Sequence, residues 1–125
     1  MHDLNLNSSF SSCNDPNIID LTVLASYVCN DSKKVIKYAA RFIETTQNTL
    51  IEMNAAISTK DISELSALGH RLKSSSFMVG AMRFGNLCEE LEQLKNTEDL
   101  EKAIAVLQKL HDLFEQINIR LKNII

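Results

Sequence analysis

The sequence predicts an all-α fold, an antiparallel up-and-down four-helix bundle with an additional short N-terminal helix. Three observations carry that expectation. One Pro and three Gly in 125 residues are too few turn-makers for an all-β chain. Apolar residues recur at helical spacing through five successive segments. The links between segments are short and polar, which favours antiparallel neighbours.

The chain opens with Met1 to Pro16, rich in Asn and Ser and without apolar period, expected to be a flexible tail or linker. Residues 17–125 are expected to form the bundle domain. Asp20 is placed to cap a short helix, Leu21 to Cys29, in which Leu21, Leu24, Ala25 and Val28 share one face. Asn30-Asp31-Ser32 breaks it and offers caps for a second helix from about Lys33 to Ile57. Val35, Ile36, Ala39, Phe42, Ile43, Thr46, Leu50, Met53 and Ile57 form its apolar stripe, and Lys33, Lys37 and Arg41 lie on a solvated side. Asp61, followed by Glu64, resembles a capping box and starts a third helix, Ile62 to Val79, stopped by Gly80. The fourth is expected over Ala81 to Lys95, with Phe84, Leu87, Cys88, Leu91 and Leu94 inward and Gly85 a site of close packing or of tolerance. Thr97 can cap the last helix, Glu98 to about Asn123, striped by Leu100, Ile104, Leu107, Leu110, Phe114, Ile117, Leu121 and Ile124.

The totals remove several function classes. A net charge of −3 argues against nucleic acid as partner, because phosphate-backbone binding needs a basic surface. No apolar run approaches the roughly 18 residues of a membrane span, and the start lacks the basic-then-apolar pattern of a secretory signal. The three cysteines, Cys13, Cys29 and Cys88, are odd in number and make no CxxC pair, which fits a reducing, cytoplasmic setting.

The chemistry concentrates between Gly69 and Cys88. With His70 set at zero on the third helix, Leu65, Leu68, Leu72 and Val79 fall roughly 160–220° away, and Ser63, Ser66, Lys73, Ser74 and Phe77 fall within about 60°. The helix therefore buries its leucines and presents His70 to solvent among small hydroxyls, one lysine and one phenylalanine. No Asp or Glu occurs from Leu65 to Cys88, although the chain carries 16 acids. A histidine without an orienting carboxylate on its helix is poorly set up for acid–base work, and no ligand cluster at i, i+4 suggests a metal. Nucleophilic use remains: the imidazole offers a lone pair at cellular pH and can take a phosphoryl group. Lys73, one turn on, can offset the added charge. Arg71 and Arg83 raise the local positive potential, and the small Gly69 and Ser74 allow another protein to approach. Phe77 reads equally as a helix-end contact or as part of a docking patch. Ser75 and Ser76 are expected to bond to backbone within the helix. Cys88 reads as core and His111 as structural.

This stretch resembles the histidine phosphotransfer (HPt) domains of multistep phosphorelays. Their motif runs small-His-x-Leu-Lys-Gly-Ser-Ser, then Gly-Ala, then Leu-x-x-x-Cys-x-x-Leu-Glu. Here it stands as Gly69-His70-Arg71-Leu72-Lys73-Ser74-Ser75-Ser76, Gly80-Ala81, Phe84, Leu87-Cys88 and Leu91-Glu92. Ile19-Asp20 to Leu24, Phe42 to Thr46 and Asp61 also match in place, so the likeness runs from about Ile19 to the end. Ser74 stands where the family commonly has Gly, and Gly69 where it commonly has Ala. The resemblance implies a phosphocarrier without an ATP site. His70 Nε2 would accept a phosphoryl group from a receiver-domain aspartate and donate it to another, with Lys73 stabilising the group. Gly69, Ser66, Ser74, Phe77 and Arg71 would serve access and docking. It implies no cofactor on this chain, Mg²⁺ on the receiver, and response-regulator receivers or a hybrid sensor histidine kinase as partners, with the carrier a monomer. The competing reading is a helical adaptor that docks a receiver or another protein without transfer. An exposed His with Lys73 beside it is a feature an adaptor does not require.

Overall fold

The computed structural model describes residues 17–125. The expected N-terminal tail, with His2 and Cys13, lies outside the described residues. Five helices follow: α1 Leu21–Tyr27, α2 Ser32–Ser58, α3 Ile62–Met78, α4 Met82–Glu92 and α5 Leu100–Leu121. The last four form an all-α, up-and-down bundle, with α1 packed across one end against α2 and α3. No described helix is long and apolar enough to cross a membrane.

Aspartates start four of the five helices by accepting hydrogen bonds from otherwise orphaned backbone N–H groups. Asp20 takes the N–H of Thr22, Asp31 those of Lys33 and Lys34, Asp61 that of Glu64, and Asp99 that of Lys102. The last cap corrects the expectation for Thr97. Its hydroxyl donates instead to the Leu94 carbonyl at 2.7 Å and closes the turn after α4, so α5 starts two residues later. Helix α4 ends at Glu92 rather than Lys95, in a turn that carries Asn96 at φ 71°. Helix α1 ends at Tyr27, because Cys29 and Asn30 turn left-handed, at φ 54° and 59°.

Helix α4 has Ala81 as its N-cap residue and no side-chain cap, and Gly80 makes the corner before it. At φ 85° its conformation favours glycine, and a Cβ there would lie 1.9 Å from the Asp20 carbonyl oxygen. Asp20 N–H donates to the Gly80 carbonyl at 3.0 Å. One glycine thus ends α3 and fastens the entry of α1 to the α3–α4 corner.

Phe84 of α4 is fully buried, edge-on to Phe42 of α2 and tilted against Phe114 of α5. It joins three helices at the centre of the core. Cys88 is buried one turn further on, and burial pushes its thiol up to about 12, so it packs as a small apolar group. Two expected core residues lie outside. Ile36 and Ile104 are exposed, about 100° and about 120° around their helices from the centre of the buried stripe. Ala103, Val106 and Leu113 fill the α5 face instead. The basic side of α2 faces solvent, with Lys37 and Arg41 both over the Tyr38 ring.

Candidate functional site

Helices α3 and α4 make the closest pair in the bundle, and small residues allow it. Gly69 is buried. A Cβ on it would stand 2.6 Å from the Cys88 carbonyl oxygen and 3.1 Å from Leu91 Cβ. Ser66, one turn earlier and also buried, donates its hydroxyl to the Glu92 carbonyl at 2.7 Å. That carbonyl lies in the last turn of α4 and lacks a partner within the helix. Gly69 lets α4 approach, and Ser66 fastens its C-terminal end.

The consequence is a carboxylate beside the histidine. Glu92 Oε2 lies 2.5 Å from His70 Nδ1, and Glu92 Oε1 lies 2.6 Å from Lys73 Nζ. One side chain therefore spans both residues of the α3 motif. The Lys73 hydrogen bond, and then that of His70, hold the Glu92 carboxyl below the usual carboxylate range against a smaller opposing effect of burial. The same bond raises Lys73 above the usual lysine value. An ionised carboxylate can only accept, so Nδ1 carries the ring proton. Nε2 is left as the lone-pair nitrogen, with no partner among the described residues, on a side chain that is 69% exposed. His70, Glu92, Ser63, Ser66, Ala67 and Lys95 enclose an open recess of about 370 Å³.

His70 is exposed and Lys73 half-buried beside it, as the helical spacing requires. Ser74 is exposed on the same side. Gly69 and Ser66, expected to serve access, are both buried in the α3–α4 seam, where small size serves helix approach. Phe77 is half-buried with its ring over Gly85, where a Cβ would come within 2.4 Å of it. That gives Gly85 a packing reason and makes Phe77 first a contact to α4. Arg71 is exposed but paired with Glu52 of α2 at 2.9 Å. Arg83 lines a separate groove with Glu90, Lys109 and Asp112, none of which borders the recess at His70. Neither arginine therefore stands free beside His70. Ser75 and Ser76 both donate to the Leu72 carbonyl, as expected.

Glu92 is the residue that helical spacing missed. The acid-free run lies along α3 and the start of α4, whereas this carboxylate arrives from the far end of α4, 22 positions after His70. The available signal was the Leu91-Glu92 pair that closes the motif, where the glutamate had a place but no role.

An exposed histidine with Nε2 open, a carboxylate on its other nitrogen and an adjacent lysine, all on a four-helix scaffold, suit a group-carrying site. The family comparison agrees: residues 37–119 match the Hpt domain, and the chain belongs to that family. Membership places it among the histidine phosphotransfer domains, the phosphocarrier modules of phosphorelays. Among curated proteins it is similar to multistep phosphorelay regulator 1 of Schizosaccharomyces pombe (strain 972 / ATCC 24843), 33% identical over 51 residues. That match spans 41% of this chain and 17% of the relative. Among solved structures it is similar to the crystal structure of histidine-containing phosphotransfer protein B (HptB) from Pseudomonas aeruginosa PAO1. The TM-score is 0.77 at 24% identity, covering 85% of this chain and 92% of that one, a likeness of fold.

Proposed function

We propose that His70 Nε2 is the atom that carries the phosphoryl group. The observation that supports it best is the pairing of Nδ1 with Glu92, which leaves Nε2 both basic and exposed. The Nε2 lone pair attacks phosphorus in the aspartyl phosphate of a receiver domain. An N–P bond forms, the acyl O–P bond breaks, and the aspartate leaves with the electron pair as a carboxylate. No proton need move, because Nδ1 keeps its own. The ring becomes cationic as Nε2 gives up its pair, and the Glu92 carboxylate 2.5 Å away stabilises that charge. Donation to a second receiver reverses these steps, with the pair returning to Nε2.

Lys73 holds Glu92 in place and lowers the negative potential around the carried group. The receiver supplies Mg²⁺ and the groups that stabilise the transferring phosphoryl. The exposed Ser74 gives it room to approach. The carrier acts as a monomer in the cytoplasm, and its donor receiver stands alone or belongs to a hybrid sensor kinase.

The test is transfer from a phosphorylated receiver in Mg²⁺. Wild-type protein should gain an acid-labile, base-stable label, and His70→Gln should gain none. Label on His70→Gln, or none on wild type from any receiver of its own organism, would overturn the assignment.

A further inference from the structure

The recess beside His70 has a second lysine in its wall. Lys95 lies three residues beyond Glu92 in the turn that leaves α4, and it shares the recess with His70, Glu92, Ser63, Ser66 and Ala67. Its place is fixed from both sides. Lys95 N–H donates to the Glu92 carbonyl at 3.3 Å, the buried Leu94 precedes it, and Asn96 turns the chain away at φ 71°.

The two lysines differ in what their charge already does. Lys73 Nζ sits 2.6 Å from Glu92 Oε1, and the same carboxylate faces His70. With a neutral ring, His70, Glu92 and Lys73 sum to no net charge, and the ring cation formed on transfer raises that sum only to +1. A phosphoryl group brings about −1.5 to −2 at pH 7. Moving Lys73 onto it would uncover Glu92 beside a dianion, a like-charge pair at close range. Lys95 is exposed and makes no ion pair among the described residues. Its flexible four-carbon stem suits a point-charge contact to phosphate.

Resting on the reading of His70 as the carrier, we propose that Lys95 is the cation that meets the carried phosphoryl group, while Lys73 is a positioning residue that holds Glu92. The two lysines therefore act on different parts of the phosphohistidine. Lys95 acts on the phosphoryl oxygens, and Lys73, through Glu92, acts on the ring.

The test uses protein phosphorylated by phosphoramidate, a small donor that needs no receiver. Nε2 attacks its phosphorus, the donor N–P bond breaks and ammonia leaves. The ³¹P signal of the His70 adduct is identified by its loss in His70→Gln and titrated at low ionic strength, where exposed charges are least screened. Lys95→Gln should raise the phosphoryl pKa by about half a unit or more, since an adjacent cation favours the dianion. Lys73→Gln should move it less but alter the ¹⁵N shifts of the ring. Lys109→Gln, in the separate groove, removes the same charge and should leave both unchanged. A Lys95→Gln titration that overlays wild type, or a larger shift in Lys73→Gln, overturns the role of Lys95 and leaves the carrier reading standing. A His70 that takes no phosphoryl group from phosphoramidate overturns both. Loss of transfer from receivers, with the Lys95 shift intact, counts against the relay reading alone.

Discussion

His70 and His111 are the two histidines among the described residues, and each gives one ring nitrogen to a neighbouring helix. His111 of α5 is half-buried, with Nε2 2.9 Å from the Asn54 amide oxygen of α2. His70 of α3 is exposed, with Nδ1 2.5 Å from a carboxylate of α4. The residue type is the same and the chemistry is not. His111 commits Nε2 to a neutral acceptor, which stabilises a ring cation less than a carboxylate does. His70 commits Nδ1 to a charged one and leaves Nε2 exposed. Which nitrogen is engaged, and by what charge, separates a histidine that joins helices from one that can carry a group.

The largest expected effect is the sharpest test of that contrast. With a phosphorylated receiver, His70→Gln should take up no label, whereas His111→Gln should label as wild type does. In urea unfolding the latter should lose about 1 kcal/mol or less, the worth of one half-exposed hydrogen bond. Label that disappears in His111→Gln, with folding intact by circular dichroism, would break the comparison.

The next effect concerns the seam that brings the carboxylate to one histidine only. Gly69→Ala puts a Cβ 2.6 Å from the Cys88 carbonyl oxygen, which is backbone and cannot swing aside. Helix α4 must move, and Glu92 moves with it. Overpacking of this kind costs about 1–3 kcal/mol, readable in urea unfolding. Label uptake should slow as well. Ser74→Ala, the exposed neighbour on the other side of the motif, should stay within about 0.5 kcal/mol of wild type. If Gly69→Ala were as stable as wild type, the closeness of α3 and α4 would not be what positions Glu92.

Much of this was legible in the sequence, for a reason the seam makes plain. Helical period fixes what each helix shows to its own axis, so the exposure of His70, the burial of Leu65, Leu68 and Leu72, and the Asp caps at the helix starts could be read directly. The stop at Gly80 could be read too, because a left-handed corner favours glycine. Period says nothing about which neighbour lies across a face. Ser66 sits within about 60° of His70 on the wheel, yet it is buried, because the end of α4 crosses it. Small residues near the histidine suggested open access and instead mark where two backbones meet. Ile36 and Ile104 failed for a related reason: apolar residues at the margin of a stripe satisfy the spacing without reaching the core.

A smaller effect comes from making the two histidines alike. Glu92→Gln keeps an acceptor for Nδ1–H and removes the charge, so His70 then faces an amide as His111 does. The charge-assisted bond is worth roughly 1.5 kcal/mol more than a neutral one at most, about tenfold in the rate of label uptake. Wild-type rates in Glu92→Gln would mean that the carboxylate orients the ring and stabilises nothing.

The smallest effect is in stability against pH, and its sign follows from the shifts at Glu92 and Lys73. Glu92 is held below its ordinary range, chiefly by Lys73 and then by His70. Its contribution is present above the unfolded carboxylate value of about 4.3 and is lost as pH falls through the lower folded value. Lys73 is raised, chiefly by Glu92, so its share is present below about 10.4 and is lost as pH rises through the higher folded value. The pair should therefore add stability across the neutral range and lose it at both ends. Urea midpoints measured from acid to alkaline pH should show wild type losing more at each end than Glu92→Gln, which has no such pair to lose. An acid limb equally steep in wild type and Glu92→Gln would place the folded-state titration on other carboxylates and leave the Glu92 bridge without a measurable share in stability.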